Sequence, residues 1–187
     1  RRSFVDMELC QLNKYYLYNL NQYNKIINQR NKLLKELTFR PEYQETLDVW
    51  DVQLIHYGRE LIKCRKKFVE QLNHMVRDTH SQLSGGREEL LLEYEPNVEE
   101  DQFEQKLGAT RELDRKLKTT STGPHRDDIR FLIDTVDIRK YGSQGQQRTA
   151  ALSLKLSEIE LVRQIVKDYP ILLLDDVLSE LDGGRQQ

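Results

Sequence analysis

YGSQGQQRT, Tyr141 to Thr149, and PILLLDDVLSELD, Pro170 to Asp182, are the two stretches that decide how this chain reads. The first is a Gly/Ser/Gln turn running into Ala150, Ala151, Leu152, Leu154, Leu156, Ile159, Val162, Ile165 and Val166, a helix that is apolar over a broad face. Ser143 suits the N-cap, and Gln146 three residues later completes a capping box. A helix start offers amides without intrahelical acceptors and a partial positive charge, so it is a natural phosphate site. Gly145 lets the backbone approach a ligand closely.

The second stretch begins with Ile171–Leu174, too short for a helix and apolar on both faces, as the interior strand of a covered parallel sheet should be. Pro170 stands at its first position, where a missing donor is tolerated. It ends in Asp175 and Asp176, two carboxylates that are costly to bury side by side without a cation or hydrogen bonds. Ligands of open α/β sheets bind at that strand edge. Asp175 is thus placed to hold Mg²⁺, and Asp176 to orient or activate an attacking water. Ser179 and Asp182 follow too far beyond the strand to reach the same phosphates, and suit contact with a second subunit. Tyr141 and Arg148 flank the first turn, Arg148 suiting an anion or an ordinary ion pair. The two stretches make half of a nucleoside-triphosphate site. None of the nine glycines lies in a GxxxxGK[ST] phosphate loop, so the chain is expected not to bind nucleotide alone.

With 187 residues, one or two domains are expected. Hydrophobic content of 37% against 32% charged points to a soluble, helix-rich protein. No apolar run approaches the ~20 residues needed to cross a bilayer. Cys10 and Cys64 are too far apart to form a metal motif, and two unpaired thiols favour a reducing, cytoplasmic setting. The chain begins at Arg1-Arg2 and stops straight after an internal motif, so it reads as a piece of a longer protein. Residues 1–80 carry a net charge of +4 and residues 81–187 a net charge of −6. The basic excess concentrates at Arg59, Lys63, Arg65, Lys66, Lys67 and Arg77, read either as a solvated helix face or as a phosphate-backbone contact surface.

From Asn13 to Leu37, apolar or aromatic residues at Tyr16, Leu20, Tyr23, Ile27, Leu34 and Leu37 form a heptad seam that Arg30 interrupts. Pro41 ends this helix. A second helix is expected from about Glu42 to Gln82, with Leu47, Trp50, Leu54, Tyr57, Leu61, Cys64, Phe68, Leu72 and Met75 along its seam. Two matched seams joined by a short loop predict an antiparallel helical hairpin. Ser84-Gly85-Gly86 ends it. Strands are expected at Glu89–Tyr94 and Ile129–Ile133, and a helix at Glu99–Lys118 with Phe103, Leu107, Leu113 and Leu117 on its apolar side. Between them Gly123-Pro-His-Arg-Asp-Asp128 reads as a turn with satisfied charges, or as a site for His125 and Arg126.

These motifs resemble the RecF family of bacterial recombination-mediator ATPases, related to the SMC and ABC families. Arg1-Arg-Ser-Phe-Val-Asp6 is similar to the tail of the family's N-terminal signature, and Thr122–Asp128 to its internal motif. Ser143–Arg148 resembles its version of the ABC signature, and Leu173–Asp182 its Walker B and D-loop. Gln144 stands where a general ABC signature has Gly, and Asp175-Asp176 where Asp-Glu is usual. Both variations favour the RecF branch.

The resemblance implies an α/β fold: part of an ABC/SMC-type ATPase head, an incomplete P-loop NTPase sheet, with a helical arm. On that basis residues 1–82 are the arm and residues 83–187 the signature and Walker B part of the head. It implies ATP and Mg²⁺ as cofactors and an ATP-dependent homodimer, with Ser143, Gln144, Gly145, Gln146, Gln147 and Arg148 facing the partner's γ-phosphate. Asp175 and Asp176 serve their own subunit's nucleotide, and Ser179 and Asp182 form the D-loop. The whole protein is expected to be a weak DNA-dependent ATPase, cytoplasmic and nucleoid-associated, acting in replication, recombinational gap repair and the SOS response. Its implied partners are duplex DNA, single/double-strand junctions, RecR, RecO and the RecA pathway. Lys63, Arg65, Lys66 and Lys67 are the candidate DNA contacts from charge alone. An SMC-like structural head would need a far longer arm. An ABC transporter subunit would need no long hairpin between its sheet segments.

Overall fold

The computed structural model describes residues 2–167. Arg1, Asp175, Asp176, Ser179 and Asp182 lie outside the described residues. The elements are α1 (Arg2–Leu12), α2 (Lys14–Glu36), a 3₁₀ turn (Pro41–Glu45), α3 (Thr46–Ser84), β1 (Leu90–Glu95), α4 (Phe103–Ala109) and α5 (Arg111–Leu117). A second 3₁₀ turn (Pro124–Arg126), β2 (Asp128–Ile133), β3 (Val136–Asp137), α6 (Ile138–Tyr141) and α7 (Gln144–Val166) follow. The chain forms two compact units, one from 1–66 with 94–128, the other from 67–93 with the described residues from 129 onward. This differs from a single division after Gln82. The helical hairpin's second strand of chain enters both units, and the sheet returns 94–128 to the first.

In the first unit the hairpin is present and its register is heptadic. Tyr16 meets Arg65, Tyr23 packs at Gly58, and Arg30 pairs with Asp51. Each step of seven along α2 is therefore answered by a step of seven back along α3, as an antiparallel seam requires. Leu33, Leu34 and Leu37 close the loop end against Leu47 and Trp50. A side chain at Gly58 would run into the rings of Phe103 and Tyr23. Arg30 does not interrupt this seam. It is fully buried, donating through Nε to Asp51 (2.6 Å) and through Nη1 to Asp114 (2.7 Å) and Thr120 (2.9 Å).

Three local expectations are corrected. The second hairpin helix starts at Thr46, because Pro41–Glu45 winds as a 3₁₀ turn. An additional helix, α1, precedes the hairpin, and Asn13 separates it from α2 by accepting from the amides of Tyr15 and Tyr16. The stretch 99–118 is two short helices. Thr110 joins them, its hydroxyl within reach of the carbonyls of Lys106 and Leu107 and of Thr122. That break turns Leu113 and Leu117 outward, 46% and 56% exposed, while Asp114 is drawn inward to Arg30.

In the second unit the described strands form one sheet in the order β1-β2-β3, with Leu132 opposite Asp137 and Ile133 opposite Val136 in an antiparallel pair. Asp134 and Thr135, at φ 48° and 73°, make the two-residue turn, whose twist matches the right-handed twist of the strands it joins. Asn73 of α3 clamps β1 through both of its amide atoms, donating to the Leu92 carbonyl (2.7 Å) and accepting from the Leu92 amide (2.8 Å). Among the described residues β1 is an edge strand, and this side chain satisfies backbone groups that would otherwise invite another strand. Gly85 and Gly86, both at positive φ, stop α3.

Candidate functional site

The turn at Ser143 forms as its residues dictate. The Ser143 hydroxyl oxygen accepts from the Gln146 amide (3.1 Å), and Gln146 Oε1 accepts from the Ser143 amide (2.9 Å). Both arms of the capping box are closed. The Ser143 hydroxyl still has its proton to donate outward, beside the exposed Gln144. Gly145 and Gln146 are half-buried, and Gln147 and Arg148 exposed. Gln147 donates back to the carbonyls of Ile138 (3.0 Å) and Gly142 (3.2 Å), fixing the loop that leads into the turn. Beyond the turn Thr149, Ala150, Leu152, Ser153 and Leu154 are buried. The arrangement is a preformed helix N-terminus on a rigid, buried stem, suited to meet an anion.

The basic cluster is only partly a surface. Lys63, Lys66 and Lys67 are exposed on α3. Arg59 bonds the Glu100 carbonyl and Glu104, and Arg77 pairs with Glu89. Arg65 is a correction: it is 1% exposed and cannot touch a nucleic acid. It donates to Asp6, Tyr16, the Pro124 carbonyl and Asp127 at 2.6–3.0 Å. Burial disfavours its charge, and the fields of Tyr16, Asp6 and Asp127 more than offset that, so its pKa is raised. Charge density along the sequence does not tell a solvated arginine from one bound to carboxylates sixty residues away.

The Thr122–Asp128 motif is where that arginine is held. Asp127 also receives the Tyr94 hydroxyl and the Asn97 amide. His125 is set between Tyr23 (2.7 Å at Nδ1) and the Thr120 carbonyl (3.0 Å at Nε2). A carbonyl only accepts, so Nε2 carries the proton and Nδ1 accepts from the tyrosine. Burial lowers the His125 pKa to about 4, opposed by the Thr120 carbonyl and reinforced by Arg126. Its imidazole is therefore neutral at physiological pH. Arg126 is exposed. The motif's buried members serve the packing of the first unit.

Among the described residues no group of three or more His, Cys, Asp or Glu is placed to hold a metal ion, and no helix is long and apolar enough to cross a membrane. Among the described residues neither Cys10 nor Cys64 forms a disulfide.

No family model matches the chain. Individual proteins do. The chain is 60% identical over 186 residues to the DNA replication and repair protein RecF of Agathobacter rectalis, covering 100% of this chain and 51% of that protein. It is 61% identical to that of Lachnoclostridium phytofermentans, covering 100% and 52%. A solved structure of the recombination mediator protein RecF with ATP, in the RecFOR pathway, superposes with a TM-score of 0.91 at 37% identity, covering 100% of this chain and 52% of that one. The chain spans about half the length of the curated relatives it matches. The expected fold, an ABC/SMC-type head segment with a helical arm, is borne out by this likeness.

Proposed function

We propose that this chain, a RecF-family sequence homologous from end to end with half of those proteins, carries the arm and the partner-facing half of an ATP site in a DNA replication and repair protein. One observation carries the reading. The Ser143–Gln146 turn is already built, with Ser143 and Gln144 exposed, within a chain that superposes on an ATP-bound RecF. In this reading Ser143, Gln144, Gly145, Gln146, Gln147 and Arg148 approach the γ-phosphate held by a second subunit, the Ser143 hydroxyl and the first-turn amides acting as donors. Asp176 orients water, and Ser179 and Asp182 meet the partner. Two adjacent carboxylates suit a hard cation, and Mg²⁺ at Asp175 would neutralise phosphate charge when bound. The nucleotide thus joins two copies on DNA, in the gap-repair setting shared with RecR, RecO and RecA.

The test compares this chain with one completed to the full length of its relatives. ATP is expected to bind the complete chain, and to bind this chain only after the relatives' N-terminal segment is added in trans. Tight ATP binding by this chain alone would overturn the half-site reading.

Duplex DNA is proposed to lie on the exposed lysines of α3. Lys63→Glu, Lys66→Glu and Lys67→Glu together are expected to weaken an electrophoretic shift at least about tenfold and to flatten its salt dependence, since each neutralised phosphate releases counterions. An unchanged shift would remove these lysines from the interface.

A further inference from the structure

The signature turn and its helix are tied to α3 and the loop after it by side chains that lie wholly within the second unit. Gln146 is held at both ends of its amide. Its oxygen serves the capping box, and its Nε2 donates to Glu88 Oε1 at 3.1 Å. The other oxygen of Glu88 faces Nε2 of His80, 3.5 Å away. His80 sits one turn before the end of α3 with no solvent exposure, and its Nδ1 meets the Ser153 hydroxyl at 2.8 Å. Ser153 spends its own proton on the Thr149 carbonyl (2.8 Å), so it accepts from His80 Nδ1–H. The buried His80–Ser153 bond therefore grips α7 two turns in, while the Glu88–Gln146 bond grips its first turn.

We propose that His80 and Glu88 are positioning residues for the signature turn: they hold the stem of α7 to the last turns of α3 and Gln146 to the loop that follows α3, so that the turn meets the partner's nucleotide in one orientation. Neither would touch the nucleotide. A glutamate at 146 would also close a capping box, but it would repel Glu88, which gives a physical reason for glutamine there. This inference rests on the proposed role of the turn.

The test uses the chain at its relatives' full length, with sedimentation to measure ATP-dependent dimerisation. Glu88→Ala is expected to weaken dimerisation about tenfold, the worth of one charge-assisted hydrogen bond. ATP affinity of the monomer should be unchanged, and the melting temperature should fall by only a few degrees. Glu88→Gln keeps an oxygen for Gln146 and an amide for His80 Nε2, and should retain near-normal dimerisation. In a double-mutant cycle, Glu88→Ala should add nothing to Gln146→Ala. Additive effects, or a parallel loss of ATP binding by the monomer, would overturn the proposal by showing a merely structural role. Ser143→Arg separates the two readings. If it leaves dimerisation intact, the turn's own assignment fails. If it abolishes dimerisation while Glu88→Ala matches the wild type, only the positioning role fails.

Discussion

Replacing Arg65 with alanine should cost about 3–5 kcal/mol, the usual penalty for removing one partner of a buried ion pair and leaving the other uncompensated. Arg65 bridges Asp6 and Asp127, at 2.8 Å from each. It also takes up the Pro124 carbonyl at 2.6 Å, so its loss takes the buried counter-charge from Asp127, leaves Asp6 only the longer pair with Arg2 (3.7 Å), and strands a buried backbone acceptor. Set against a typical domain stability of roughly 5–15 kcal/mol, the variant should unfold at a much lower denaturant midpoint, or fail to accumulate. Arg65→Lys keeps the charge but not the planar fork, and should recover only part of the loss. The neighbouring Lys66→Ala, on an exposed side chain, should change stability by less than about 0.5 kcal/mol. Urea denaturation of the three variants decides the matter: a loss below about 1 kcal/mol for Arg65→Ala would mean the network contributes little.

Gly123→Ala should be comparably severe for a different reason. Gly123 sits at φ 135° and ψ 175°, a region almost closed to residues with a side chain. A Cβ there would lie 2.5 Å from the Tyr23 hydroxyl oxygen and 3.1 Å from Phe103. Backbone strain of about 1–3 kcal/mol adds to overpacking of about 1–3 kcal/mol. The expected result is a destabilisation of several kcal/mol, together with loss of the Tyr23–His125 hydrogen bond. Truncating Tyr23 to phenylalanine in the same background should relieve part of the clash, and the two changes should be non-additive. Full stability of the single variant would show that the turn can refold around a methyl group.

Much of the fold was legible because its signals are local. Pro41 and the Gly85-Gly86 pair mark real helix ends. Tyr16, Tyr23, Ile27 and Leu34 lie buried on the face their spacing foretold. The capping box at Ser143 and Gln146 is read from two residues three apart, and the structure closes both of its bonds. The 99–118 stretch shows where local signals stop being decisive. Its apolar spacing argues for one helix, but Thr110 breaks the phase, and a buried arginine from α2 decides which face of α5 turns inward.

The charged residues divide most sharply between the two levels. Arg65 and Lys66 are adjacent and chemically alike in the sequence, yet one is sealed against Asp6 and Asp127 and the other faces solvent. Composition and periodicity determined the helical arm, the strand segments and the signature turn, because each depends on residues within a few positions of one another. Only the tertiary structure decided that Arg30 and Arg65 belong to the interior, that the Thr122–Asp128 motif packs the first unit, and that Glu88 stands between His80 and Gln146. Those outcomes depend on partners tens of residues away, and burial of a charge is favourable only when the fold brings its counter-charge within hydrogen-bonding distance.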